Sequence, residues 1–137
     1  MTDATQSNAH MAPLRELSHS ARRLHKAMLD VETQYFGTVG GVLEHLQLVT
    51  SHPHFAWLLK LSGLMAELDE RLDDEEQPVD AATATDYRSA FEQLVGPRPA
   101  IDEDFRKRYL ALLQDAPEVA MAHGVLRQAL ARLPQAA

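Results

Sequence analysis

Seven histidines in 137 residues are the first place to look for chemistry in this chain. In the most regular stretch, Ser18, His25 and Glu32 recur at intervals of seven. On a helix that spacing puts them on one polar flank beside an apolar seam, with His25 and Glu32 roughly 10 Å apart along the axis. His45 falls on the partly apolar side of the next helical stretch, and His123 lies one step from the apolar stripe of the last. If folding brings His25, Glu32, His45 and His123 together, three imidazoles and a carboxylate make a three- or four-ligand metal site. Taken without a metal, His25, Glu32 and His45, with Trp57 as an aromatic wall, make a small-ligand pocket. The simpler alternative leaves each histidine hydrogen-bonded at a helix boundary and Trp57 in the core.

Other motifs are weaker. Glu16 and His19 have the Glu-x-x-His spacing of di-iron carboxylate bundles, but those need the motif twice plus two further glutamates, and it occurs once here. His52 and His54 flank Pro53 at a helix start, where open N–H groups attract anions, though two histidines around a proline more often mark a turn and nothing else. Seven of the ten residues from Glu67 to Glu76 are acidic. They gather toward a helix C-terminus, where the macrodipole disfavours negative charge, so the helix is expected to end near Asp73 in a solvated loop. Their order does not match an EF-hand loop. His-Glu-x-x-His, a phosphate-binding glycine loop and a nucleophile elbow are all missing from the sequence. We therefore assign no catalytic residue and expect no cofactor.

The elements that must position these side chains read as helices throughout. Residues 1–12 are small and polar and are expected to form a disordered tail. Leu14, Leu17, Ala21, Leu24, Met28, Val31 and Tyr35 then repeat at threes and fours, predicting a long helix from Pro13 to about Gly37. A short helix with Val42, Leu43, Leu46 and Val49 on its apolar face should follow. The stretch 52–76 holds the single tryptophan and the densest apolar run, and the other helices are expected to pack against it. Leu58, Leu61, Met65, Leu68 and Leu72 form its stripe, widened by Phe55, Trp57, Leu59 and Leu64. Asp80 and Asp102 are the expected caps of two further helices, the first ended by Gly96-Pro97. A last helix, about 117–133, turns Val119, Ala122, Leu126, Ala129, Leu130 and Leu133 inward. No segment alternates with period two for long. The expected fold is all-α, a single-domain helical bundle of five or six helices over 13–134.

Composition narrows the function. A net charge of −7 argues against nucleic acid as a partner. The basic groups Arg22, Arg23, Lys26 and Arg106, Lys107, Arg108 are small and have acidic neighbours. The absence of cysteine rules out disulfides, thiolate chemistry and cysteine-bound metal. No apolar run approaches a membrane span, and the N-terminal residues lack an apolar export core. A cytoplasmic protein with no membrane partner is expected.

His54-Phe55-Ala56-Trp57-Leu58, with Ser51 and Pro53 before and Leu61-Ser62 and Leu68-Asp69-Glu70 after, resembles a group of small uncharacterised bacterial all-helical proteins. Their pattern runs Ser-Asp-Pro-Trp-Phe-Ala-Trp-Leu-Arg-Pro-Leu-Ser and ends in an Asp-Glu pair. Leu24-His25-Lys26-Ala27-Met28-Leu29 with Glu32 is similar to their first helix, so the likeness spans roughly residues 20–70. Here His52 stands for the Asp, His54 for the first Trp, Lys60 for the Arg and Leu61 for the Pro. The resemblance implies a bacterial origin and a helical bundle, and it brings no activity.

Two functions from different classes fit these features. The first is a protein-binding or regulatory module whose partner is another protein or a second copy, as a homodimer. The alternative is a metal- or small-ligand-binding bundle around His25, Glu32 and His45.

Overall fold

A computed structural model describes residues 2–36 and 53–135, with side chains from 9 to 34 and from 55 onward. The short helix expected near 38–49, His45 and His52 lie outside the described residues. Among those described there are five helices of thirteen residues or more, one four-residue helix and no strand: α1 (Thr2–Phe36), α2 (Pro53–Ala56), α3 (Leu59–Asp73), α4 (Ala81–Val95), α5 (Glu103–Asp115) and α6 (Pro117–Ala131). This is an all-α bundle.

α1 is the spine. Leu14, Leu17, Ala21, Leu24 and Met28 are fully buried, and Val31 nearly so. One edge of that seam packs most extensively against α6, the other against α3. Glu16 pairs with Arg132 near the end of α6, and Arg22 pairs with Asp69 in α3. The stretch 52–76 is thus one of two layers laid on α1 rather than the centre of the fold. The reason lies in length and phase: α1 keeps its seam for more turns than any other helix, so it can back two neighbours at once.

Two boundaries differ from expectation. α1 starts at Thr2, with Pro13 inside it, rather than at Pro13. Met11 packs against the core ahead of Pro13, so burial extends past the residue whose missing N–H suggested a start. The second difference falls at Trp57. A single helix from Pro53 was expected, but the chain turns at Trp57-Leu58 between α2 and α3. The N–H of Leu58 donates to the Phe55 carbonyl at 3.0 Å and that of Leu61 to the Leu58 carbonyl at 3.1 Å, the tighter three-residue spacing. This rephasing buries both Phe55 and Leu58 and leaves Leu59, expected on the apolar face, 55% exposed.

The caps form as the sequence predicts. The Asp80 carboxylate accepts from the Thr83 N–H at 2.8 Å and Asp102 from the Phe105 N–H at 3.0 Å. α3 ends at Asp73. Gly96 closes α4 with φ of +104°, a conformation that favours glycine, and its N–H donates to the Glu92 carbonyl. Every residue expected inward on α6 is buried, as is Leu133 beyond it.

One polar cluster has no forerunner in the sequence reading. Glu92 is buried on α4, and its two carboxylate oxygens accept from Arg88 and Arg98, each at 3.3 Å. Arg88 also donates to the Leu133 carbonyl, tying α4 to the end of α6. Arg106 reaches from α5 to the carbonyls of Glu92, Gln93, Leu94 and Arg98. A guanidinium at the C-terminus of α4 satisfies carbonyls that the helix itself leaves open and meets the negative end of its dipole.

Candidate functional site

The polar flank of α1 turns toward α2 and α3. Ser18 donates its hydroxyl to Asp69, which also takes the Arg22 guanidinium. Two heptads on, Glu32 is only 9% exposed and accepts the Trp57 indole N–H through Oε2 at 3.3 Å. His25 occupies the flank midway between these bonds, part-buried, and burial holds its pKa below the usual value. The sequence stripe is therefore real, and two of its three members bond across a helix boundary.

From Trp57 a file of rings runs through the bundle. The Trp57 and Phe105 centroids lie 5.1 Å apart with the planes tilted by 58°. Phe105 and Tyr109, one turn apart on α5, stack at 6.0 Å. Tyr109 meets the His123 ring of α6 at 5.6 Å. These separations suit tilted and offset aromatic contacts. The file ends in a hydrogen bond of 2.6 Å between the Tyr109 hydroxyl and Nδ1 of His123. We assign the phenol as donor and Nδ1 as acceptor, because burial keeps the imidazole neutral and the phenol protonated.

Glu32, Trp57 and His123, chosen from sequence, thus belong to one line of contacts, with Glu32 at one end and His123 at the other. The rings of Phe105 and Tyr109 stand between them. His25, Glu32 and His123 are accordingly not gathered as a ligand set: among the described residues no group of three or more His, Asp or Glu side chains could hold a metal ion. His45, the fourth expected ligand, lies outside those residues. Glu16 bonds Arg132, and His19 is exposed. The side chains of His52 and His54 are outside the described set.

Burial of two neutral histidines has a measurable consequence. The unfolded chain takes up protons near the ordinary value of 6.5, while folded His25 and His123 resist protonation, both through burial and the latter also through Arg127. Their contribution is complete above pH 6.5 and is lost as pH falls through that value toward their folded pKa. Urea midpoints should stay level from pH 8 to 7 and decline below about 6.5, as the buried imidazoles charge. The slope should diminish in both His25→Gln and His123→Gln. An undiminished slope in both would show that other groups carry it. Asp69 acts in a separate window. Desolvation, the largest single influence, pushes its pKa up, but the Ser18 and Arg22 hydrogen bonds and the Arg22 charge together bring it below the usual value, so its contribution is lost only as pH falls below 3.8.

The outer face of Trp57 opens on a second arrangement, which sequence reasoning missed. A groove of about 530 Å³ lies between the start of α3 and the start of α5, walled by Trp57, Leu59 and Phe105. Beside it lies another of about 280 Å³, reached past Ile101, which is 72% exposed. Lys60 and Asp102 line both and pair at 3.7 Å across the ridge between them. Arg108 and Asp104, paired at 3.4 Å, line the first. The exposed Arg108–Asp104 pair contributes little to stability and rearranges readily, whereas Asp102 is only 28% exposed. No periodic signal marks this face, because its residues come from a turn, a loop and two helix starts.

Three of the basic residues read from sequence are already engaged. Arg22 meets Asp69, Lys26 meets Asp30 at 2.8 Å, and Arg106 points into carbonyls. No helix among the described residues is long and apolar enough to cross a membrane. Compared with known proteins, the chain matches no family model, no curated protein and no solved structure.

Proposed function

We propose that this chain is a protein-binding or regulatory module working in the cytoplasm through the face where α2 ends and α3 and α5 begin. The observation that carries this reading is the pair of adjoining grooves with Leu59 and Ile101 exposed on their rims. Leu59 on one groove and Ile101 on the other flank the charged Lys60–Asp102 ridge, and exposed apolar side chains beside adjoining concavities with a polar rim are of the sort that mark interaction sites. The paired state of Arg22, Lys26 and Arg108 supports a protein partner over nucleic acid. The small-ligand reading around His25, Glu32 and His45 has less support. Ser18 and Glu32 of that flank already bond Asp69 and Trp57, which is what helix-boundary residues do in a structural role.

The test is photo-crosslinking in the native cell, with a benzophenone side chain in place of Leu59 or, as a control, of exposed Gln128 on α6. A defined protein adduct is expected at position 59 and not at 128, and Ile101→Lys should abolish it. Equal background at the two positions would overturn the reading. Bound metal on the purified chain, lost in His25→Ala and Glu32→Ala, would replace it with the pocket reading.

A further inference from the structure

Resting on that reading of the face, we infer that its partner is a second copy of this chain, docked about a two-fold axis through the ridge formed by Lys60 and Asp102. A two-fold contact needs a patch complementary to itself, in which residue i of one copy meets j of the other and j meets i. The ridge and its rim provide that. Lys60 and Arg108 supply two positive charges, Asp102 and Asp104 two negative ones, and Leu59 and Ile101 the apolar contact on either side.

The charge of the remaining chain points the same way. With 20 acidic and 13 basic residues, two copies carry the same net charge and repel on average. A neutral patch of alternating sign is where like copies approach at least electrostatic cost. A strongly basic partner would find a better match on the acidic stretch Asp73–Glu76 than on this balanced ridge. An interface of ordinary size takes about 800 Å² from each copy, so both grooves and their rims would be used, not one alone. Arg108–Asp104 is solvent-exposed and weak, and the Lys60 side chain is 64% exposed, so Lys60, Arg108 and Asp104 can exchange neighbours on the same chain for charges on the partner while Asp102 keeps its capping bond.

The full chain is examined by sedimentation velocity over a range of concentrations, together with two charge variants. One carries Lys60→Glu and Arg108→Glu, giving an all-acidic ridge. The other carries Asp104→Lys, giving a basic one and sparing Asp102, whose carboxylate caps α5. The unmodified chain should form a concentration-dependent dimer, and each variant alone should dimerise at least tenfold more weakly. A mixture of the two should form a heterodimer, which a purely intramolecular ion pair cannot produce. Circular dichroism of each variant, matched to the unmodified chain, excludes unfolding as the cause. If Asp104→Lys fails to fold, Leu59→Lys provides the same loss of dimer without altering α5.

A monomer at every concentration overturns the inference. So does a dimer that both charge variants leave intact, since another face must then carry it. A crosslink from position 59 to a different protein, alongside a monomeric chain, would refute self-association and leave the protein-binding reading standing. Absence of any defined crosslink would refute the latter.

Discussion

Replacing Glu92 with Ala lowers the stability of this bundle by about 3–5 kcal/mol, the loss typical when one partner of a buried ion pair is removed. The Glu92 side chain is 8% exposed and that of Arg88 12%, so the substitution leaves a largely buried guanidinium without its counter-charge, held by the Leu133 carbonyl. Arg98 on the other oxygen is more exposed and can turn to water. For a domain of this length the loss corresponds to a fall in melting temperature on the order of 10–15 °C. Urea denaturation followed by circular dichroism measures it, with an unchanged slope showing that the unfolded state is the same. Glu16→Ala is the internal comparison. Glu16 and Arg132 also join two elements, but both are about half-exposed, and such pairs contribute about 1 kcal/mol or less. Similar small losses in both variants would mean that the Glu92 site is wet and that the three arginines around it do not act as a clamp.

Phe105→Ala is the second large effect, about 3–5 kcal/mol from the range for removing a fully buried phenylalanine. The ring separates Trp57 from Tyr109, touching the first at 5.1 Å and the second at 6.0 Å. Its loss removes the floor of the larger groove and the middle of the aromatic file together. Trp57 emission should therefore shift to longer wavelength as water reaches the indole, while the bond to Glu32 limits how far the side chain can move. Phe105→Leu keeps most of the volume and should cost about 1.5 kcal/mol or less, with a smaller shift. An Ala variant with unaltered emission and a loss under about 1.5 kcal/mol would show that Glu32 alone positions Trp57. It would also mean that the file of rings contributes packing and no more.

The local grammar of the chain was legible without coordinates. The threes and fours from Leu14 to Val31 specify a helix with one buried seam, since only that period keeps those side chains on one face. Asp80, Asp102 and Gly96 announce helix ends because each satisfies open backbone groups or adopts a backbone angle that other residues resist. The acidic run after Glu67 told where α3 must stop. The polar flank of Ser18, His25 and Glu32 was readable as a helix boundary for the same reason of period.

What each boundary residue meets was decided by the tertiary structure. That Glu32 holds Trp57, that His123 faces Tyr109 and that Asp69 receives Ser18 depends on which helices lie side by side and in which direction. One sequence carries no record of that pairing, because an amphipathic face specifies that it will be covered and not by what. The break at Trp57-Leu58 was equally hidden: the turn arises so that Phe55 and Leu58 can both enter the core, a demand set by neighbours distant in the chain. The Glu92 cluster and the face at Leu59 and Ile101 draw their residues from separate segments with no common period. Helices and their ends follow from neighbours along the chain, whereas sites on a bundle form where distant segments meet, and only packing chooses those meetings.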